Sequence, residues 1–288
     1  MTIRRTPPTI VDLQHKAATF RALHTTWAHA RGPESAILVL ANAWDAASAA
    51  LIQQAGATAI ATTSSAISWS HGYPDGNKLP RELAIAALAR VAQSVSVPVT
   101  ADIEAGYADD DDGLAETVRL VMAAGAVGIN LEDSGSDGLA DIDEQAGRIR
   151  LVRATATEAG VDLFINARTD TFLSGLYPQT ALAETLARGR AYLNAGADGL
   201  FVPGLAELDT IRTITAAFDA PVNILAGPGS PTVEQLRAAG VRRISVGNDV
   251  AAVAYASAAA AAASILSTGS FDALAGGVEY PDMQRLFS

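Results

Sequence analysis

Residues 122–130 read MAAGAVGIN, and the phrase recurs in altered form as QQAGATAIA (53–61), TEAGVDLFI (157–165), NAGADGLFV (194–202) and RAAGVRRIS (237–245). Each time a helical pattern runs into Ala-Gly, then a small or branched residue, then a short apolar run. A helix ending this way needs one residue in the left-handed region, which glycine adopts without penalty, so Gly56, Gly125, Gly160, Gly196 and Gly240 read as C-terminal caps ahead of strands. Two further junctions, SVSVPVTADI (94–103) and FDAPVNILA (218–226), make the same passage through Pro98 and Pro221. With AILVLANA (36–43) as the first, eight strands are predicted: 36–41, 58–62, 97–101, 128–131, 163–167, 199–202, 222–226 and 243–246.

The segments between them, such as LPRELAIAALARVAQSV (79–95) and TALAETLARGRAYLNAG (180–196), have helical periodicity. Short apolar strands alternating with helices imply parallel pairing with both faces covered. Eight such units in 288 residues fit one α/β domain, a (β/α)8 TIM barrel with strands between about 36 and 246, an N-terminal helical extension, and a C-terminal helical extension over 247–288. A doubly wound open sheet is the competitor. It is weakened because NAWDAAS (42–48) follows the first strand where a glycine-rich phosphate turn would stand.

Composition narrows the function. A net charge of −11 and a pI near 4.7 disfavour nucleic acid and anionic membrane as partners, since both need clustered Lys and Arg. With no cysteine, thiolate metal sites and cysteine nucleophiles are excluded. MTIRRTPPTIVDLQHK (1–16) has no apolar core, so no secretory signal is expected and a cytoplasmic location follows. VAAVAYASAAAAAASIL (250–266) owes its apolarity to alanine and reads as a packed soluble helix, not a membrane span.

In a parallel barrel the C-terminal ends of the strands form the reaction face. The polar residues there are Asn42, Trp44 and Asp45; Thr62, Thr63, Ser64 and Ser65; Asp102 and Glu104; Asn130, Glu132 and Asp133; Asn166, Arg168 and Asp170; then Pro203 and Asn223. Asp102, Glu104 and Glu132 converge from adjacent strands and, unpaired, call for a cation. Oxygen ligands alone favour Mg2+ or Mn2+, although Arg168 could instead neutralise the cluster. His71, in SWSHGYPD (68–75), lies on a site-side loop as an acid or base, whereas His15, His24 and His29 read as surface or interface residues. Asp109 to Asp112 read as a helix N-terminus, and Trp44 and Trp69 either wall the pocket or pack. LAGPGSPT (225–232) and SVGND (245–249) occupy the usual barrel phosphate position, which leaves a phosphate-binding barrel enzyme as a rival.

NAWDAASA (42–49), TTSSAISWSHGYPDGN (62–77), TADIEAGY (100–107), INLEDS (129–134) and INARTD (165–170), in this order on consecutive strands, resemble the isocitrate lyase and phosphoenolpyruvate mutase superfamily over about 38–246. The resemblance implies a (β/α)8 barrel, C-terminal helices exchanged between subunits of a dimer or tetramer, and Mg2+-dependent chemistry on a 2-oxo acid or its adduct. By motif it implies Asp102, Glu104 and Glu132 as the metal set, directly or through water, and Asp75 as the acidic residue of a mobile loop. It also implies Thr63, Ser64 and Ser65 as the turn that holds a substrate carboxylate, and Arg168 as the substrate-binding arginine. Trp44, Asp45 and Asn223 complete the expected substrate contacts, with Arg168, Asp75 and His71 as the catalytic candidates.

One loop departs from the pattern. Residues 132–145, EDSGSDGLADIDEQ, lack the Lys-Cys-Gly-His motif of the isocitrate and methylisocitrate lyases, and also the Lys and Asn or Thr of the mutases and phosphonopyruvate hydrolases. The expected activity is therefore a carbon–carbon lyase resembling oxaloacetate decarboxylase. The alternatives are a 2-methylisocitrate or isocitrate lyase-like activity, a phosphonopyruvate hydrolase or mutase-like activity, or a non-catalytic 2-oxo acid binding protein.

Overall fold

The computed structural model describes residues 8–25, 37–135 and 138–288. The expectations placed on residues 1–7, His29, Ala36 and loop positions 136–137 lie outside the described residues. The first predicted strand is two segments, β1 (Leu38–Leu40) and β2 (Asn42–Ala43), broken at Ala41. There follow β3 (Ile60–Thr62), β4 (Val99–Asp102), β5 (Gly128–Glu132), the short hairpin β6 (Ser134–Gly135) and β7 (Gly138–Leu139), β8 (Phe164–Arg168), β9 (Gly199–Val202), β10 (Val222–Leu225) and β11 (Arg243–Ser245).

The main sheet runs β1-β11-β10-β9-β8-β5-β4-β3-β2, with every pair parallel. Because β1 and β2 are consecutive pieces of one stave, β1 bonding β11 and β2 bonding β3 brings the ends of the sheet together into a nearly closed barrel. Asn42 fastens this seam from the side chain. Its Nδ2 donates to the Thr62 carbonyl at 2.8 Å, while its Oδ1 accepts from the amides of Val246 and Gly247, both at 3.1 Å.

The helices are α1 (Ile10–Thr25), α2 (Ala46–Gln54), α3 (Ser64–Ser70), α4 (Arg81–Ser94), α5 (Asp111–Ala124), α6 (Ile142–Glu158), α7 (Ala181–Asn194), α8 (Leu208–Ala217), α9 (Val233–Ala238), α10 (Asp249–Thr268) and α11 (Tyr280–Leu286). All five repeated glycines have positive φ, from 72° at Gly160 to 108° at Gly125, as the caps require. The acidic run before α5 is a helix start, with Asp110 as N-cap accepting from the Gly113 amide at 2.8 Å.

Helix α1 closes the base of the barrel. Leu13, Ala17, Phe20 and His24 form one buried stripe at helical spacing. A Cβ on Gly128 would stand 2.7 Å from Phe20 Cε1 and 2.9 Å from Thr100 Oγ1, so glycine is what lets Phe20 seat against β5. The surface or interface reading of His24 is corrected here: it is buried, stacked on Phe164 with ring centroids 4.0 Å apart, and its Nδ1 faces the Phe20 carbonyl at 2.9 Å. His15 is exposed, as expected. Burial first, then the positive charge of Arg243, push the His24 imidazole down to about 3.

Within this chain only Ala251 of helix α10 is buried, and Val253, Tyr255 and Leu266 stand in the open, so the packing expected of this helix is not on its own barrel. By length and composition it is the one described helix apolar enough to cross a bilayer, with a mean hydropathy of 1.7.

The stability of this base depends on pH with a definite sign. Above the ordinary histidine value of 6.5, neither folded nor unfolded His24 is protonated and its packing contributes fully. As pH falls from 6.5 toward 3, only the unfolded chain takes up the proton, and stability is lost at up to about 1.4 kcal/mol per pH unit. His24→Phe should therefore show a shallower drop in urea midpoint between pH 7 and pH 4.5 than the wild type, and equal slopes would refute the assignment.

Candidate active site

The site begins where β3 hands over to α3. Thr63 is extended, with φ −129° and ψ 116°, and α3 starts at the next residue. The exposed amide of that first turn is met by one of the protein's own carboxylates. Ser64 N and Oγ donate to Asp102 Oδ2 at 3.2 and 2.8 Å, and the Asp102 amide donates to Thr62 Oγ1 at 2.9 Å. The turn expected to receive a substrate carboxylate thus spends its Ser64 donors on Asp102. Thr63 and Ser65 share a hydroxyl–hydroxyl bond of 3.1 Å.

Two residues beyond Asp102, the chain bends sharply. Glu104 has φ 50°, in the left-handed region that a branched or long side chain adopts only under constraint, and the bend turns its carboxylate inward. Glu104 Oε2 accepts the Asn77 backbone amide, while Glu104 Oε1 and Asp102 Oδ1 are buried without a hydrogen-bond partner among the described residues. Burial raises the Glu104 carboxyl to about 7, against the Asn77 amide and with the help of negative Asp102 and Asp75.

Glu132 behaves differently from the sequence expectation. Its Oε2 lies 2.8 Å from Arg168 Nη1, and Arg168 closes a second, bidentate pair on Asp170, with Nε–Oδ1 at 2.6 Å and Nη2–Oδ2 at 2.8 Å. Among the described residues no three carboxylate or imidazole side chains stand close enough to hold a metal ion between them, because Arg168 draws Glu132 toward itself. Burial still lifts Glu132 to about 8, opposed by Arg168 and reinforced by the neighbouring acids. Two buried carboxylate oxygens lacking donors, next to a carboxylate with a single guanidinium partner, are a donor set that fits a hard, partly hydrated divalent cation.

The remaining expected residues divide into mouth and support. Asp75 lies on the exposed loop after α3; its carboxyl is raised by partial burial and by Asp102, and lowered by the Gly76 amide and Arg168. His71 ends α3 with Nδ1 turned back to the Ile67 carbonyl at 2.9 Å, which leaves Nε2 for any proton transfer. Trp44 packs against the small cluster of Ile67, Leu79, Ala84 and Ala87, whereas Trp69 is exposed. Asp45 is the N-cap of α2, its Oδ1 accepting the Ser48 amide at 2.7 Å in a capping box. Asn223 is fully buried, and its amide is engaged by Ser245 Oγ at 3.0 and 3.2 Å.

A supporting cluster escaped the sequence reading. Asp133 is buried with Oδ1 accepting the Asp170 amide at 3.0 Å and Oδ2 accepting Tyr192 Oη at 2.7 Å and Arg188 Nη1 at 3.1 Å. Arg188 and Tyr192 lie four apart on α7, on the face that also buries Thr185 and Gly189. That spacing was the available signal, masked because an arginine in an amphipathic helix normally reads as surface.

The site is an acid-lined mouth on a parallel barrel, with one arginine bridging acids from two staves. The chain belongs to the phosphoenolpyruvate phosphomutase family, whose pattern residues 20–266 match. It is 38% identical over 249 residues to the uncharacterised Mycobacterium tuberculosis protein Rv1998c, covering 85% of this chain and 90% of that one. Among solved structures, a candidate phosphonomutase from Burkholderia cenocepacia J2315 is 44% identical with a TM-score of 0.79, covering 85% of this chain and 98% of that chain. A candidate lyase/mutase from the same organism is 33% identical with a TM-score of 0.87, covering 96% and 97%. Relatives at 26–33% identity include a phosphonopyruvate hydrolase, 2-methylisocitrate lyases and oxaloacetate decarboxylases.

Removing one partner of a buried ion pair strands the other charge. Asp133→Ala should cost about 3–5 kcal/mol, while Asp209→Ala, which deletes an exposed pair with Arg212, should cost within about 0.5 kcal/mol. Chemical denaturation of the two variants checks this, and comparable losses would contradict the supporting role of Asp133.

Proposed function

We propose that this chain is a Mg2+-dependent lyase that breaks a carbon–carbon bond of a 2-oxo acid, with decarboxylation of oxaloacetate as its reaction. The observation that carries this reading is the pair of buried oxygens, Asp102 Oδ1 and Glu104 Oε1, that have no partner among the described residues, in a chain with no cysteine and with no lysine or histidine in 133–141. Asp102, Glu104 and Glu132 would hold Mg2+, or Mn2+ in its place, directly or through water, and the ion would supply Lewis acidity toward the keto acid and offset the charge of the acids.

The other roles follow from what each group has left to offer. Arg168, fixed on two sides by Glu132 and Asp170, presents an oriented positive charge to a substrate carboxylate. Thr63 and Ser65 offer buried hydroxyls at the end of β3, bonded to each other, with Ser64 holding Asp102 in place. Carbon dioxide leaves unprotonated, so bond cleavage asks for no acid. The carbon left behind needs a proton afterwards, which Asp75, its carboxyl raised above the ordinary range, supplies from the loop, with His71 Nε2 as the alternative. Trp44 walls the pocket, while Asp45 and Asn223 act on substrate through the helix cap and the barrel interior that they hold.

The phosphate-site rival is less favoured. Asp249 Oδ2 lies 2.5 Å from where a Cβ on Gly227 would stand, so a carboxylate already occupies the neighbourhood of that glycine turn and repels a phosphate. The open face of α10 supports a soluble homo-oligomer, a dimer or tetramer in which this helix packs on a second copy, without membrane or nucleic acid partners and in the cytoplasm.

Oxaloacetate should yield pyruvate in the presence of Mg2+, above the rate of the metal alone, and EDTA should remove the excess. Asp102→Ala and Glu104→Ala should each weaken Mg2+ binding by roughly tenfold or more and abolish turnover, with thermal unfolding retained as one cooperative transition. Full activity in both variants would dispose of the metal proposal, and binding of 2-oxo acids without product would mark a binding protein.

A further inference from the structure

Three non-glycine residues in the left-handed region, Asn77 at φ 58°, Glu104 at 50° and Tyr107 at 51°, meet at one place. Such residues are uncommon and persist where the surroundings enforce them. Here the enforcement is mutual. The Asn77 amide donates to Glu104 Oε2 and the Asn77 side-chain Oδ1 accepts the Ala105 amide at 3.3 Å, while Tyr107 packs against the apolar cluster that anchors the end of the loop.

Residues 71–78 between α3 and α4 are exposed one after another, and Leu79 then drops into the cluster of Ile67, Ala84 and Ala87, against which Tyr107 and Trp44 also pack. The loop is thus held by an apolar anchor at Leu79 and by a polar one at Glu104, with Asp75 between α3 and that polar anchor. Glu104 divides its two oxygens. Oε2 is spent on the loop, and Oε1 is buried and has no hydrogen-bond partner among the described residues.

We infer that Asn77 is a positioning residue for Glu104, and that this carboxylate is a shared fastening through which the seating of the 71–79 loop and the hold on a divalent cation depend on each other. The inference rests on the metal reading above for its second half only. A seated loop, through the Asn77 amide on Oε2, fixes the carboxylate in the rotamer that presents Oε1, and a cation drawing on Oε1 holds that same rotamer and with it the loop. By linkage the two effects are equal in size.

Two measurements decide it. In Mg2+-free protein, hydrogen–deuterium exchange of amides 72–78 should accelerate at least several-fold in Glu104→Ala. Titration calorimetry with MgCl2 should show Asn77→Ala weakened by roughly tenfold, with Asn77→Gly, which keeps the amide and tolerates the left-handed backbone, closer to wild type. Unchanged loop exchange in Glu104→Ala overturns the fastening whatever the metal does. Faster exchange together with wild-type Mg2+ affinity in Asn77→Ala overturns the coupling. Wild-type protein that takes up no Mg2+ removes the metal reading and the coupling with it, and leaves the exchange result to decide the fastening alone.

Discussion

A single guanidinium, that of Arg168, sits between Glu132 and Asp170, and the mouth of the barrel is organised around the charge it supplies. Without it, Asp102, Glu104, Glu132 and Asp170 would crowd the ends of three staves with no cation among them. Its position is not left to its own flexibility. The Asp170 amide donates to Asp133, and Asp133 is clamped by Arg188 and Tyr192 from α7. A line of charge-assisted bonds therefore runs from the outer helical layer to the mouth of the barrel, and it fixes the direction of a long side chain. One positive charge still leaves the cluster short, and the two partnerless oxygens of Asp102 and Glu104 mark where the deficit falls.

Beneath the mouth the barrel keeps a second buried arginine. Arg243 donates to Asn130 Oδ1 at 3.1 Å, the same oxygen that Asn166 Nδ2 reaches at 2.9 Å, and burial lowers its pKa to about 9. Asn130 is in register with Asp102, so the polar interior and the acid cluster are neighbours along one pair of strands. The base below, closed by Phe20 and His24 of α1, is apolar and stacked. The barrel thus grades from aromatic packing at its floor, through amides and an arginine, to carboxylates at its rim.

The staves were legible because glycine in a left-handed cap leaves a mark that recurs at each helix-to-strand junction, and every barrel strand begins within a few residues of its expected place. The acid residues were legible for a similar reason: charges at the end of an apolar run have few explanations. What the sequence hid were the choices that side chains make among partners. Ser64 faces a substrate or Asp102 with equal propriety until the distance is known, and Asp45 is as good a helix cap as a ligand. Glu132 turned to Arg168, away from the other acids, because a guanidinium offers hydrogen bonds as well as charge. His24 was misread because one polar residue on an apolar stripe gives no sign of whether the stripe is covered at that turn. Alanine in α10 likewise carries no information on what lies opposite, and within this chain the helix is covered only in part, by Trp44 against Tyr255 and by the burial of Ala251.

The seam at Asn42 has a consequence for how the protein is made. The stave that emerges first from the ribosome bonds through residues 38–40 to residues 243–245, more than two hundred positions later, and the Asn42 amide reaches Val246 and Gly247. Until that last stave is available, the nascent sheet has two unsatisfied edges, each a template for the wrong neighbour. Ring closure is therefore a late event of long loop length, and during synthesis the half-built barrel depends on whatever shields its open borders.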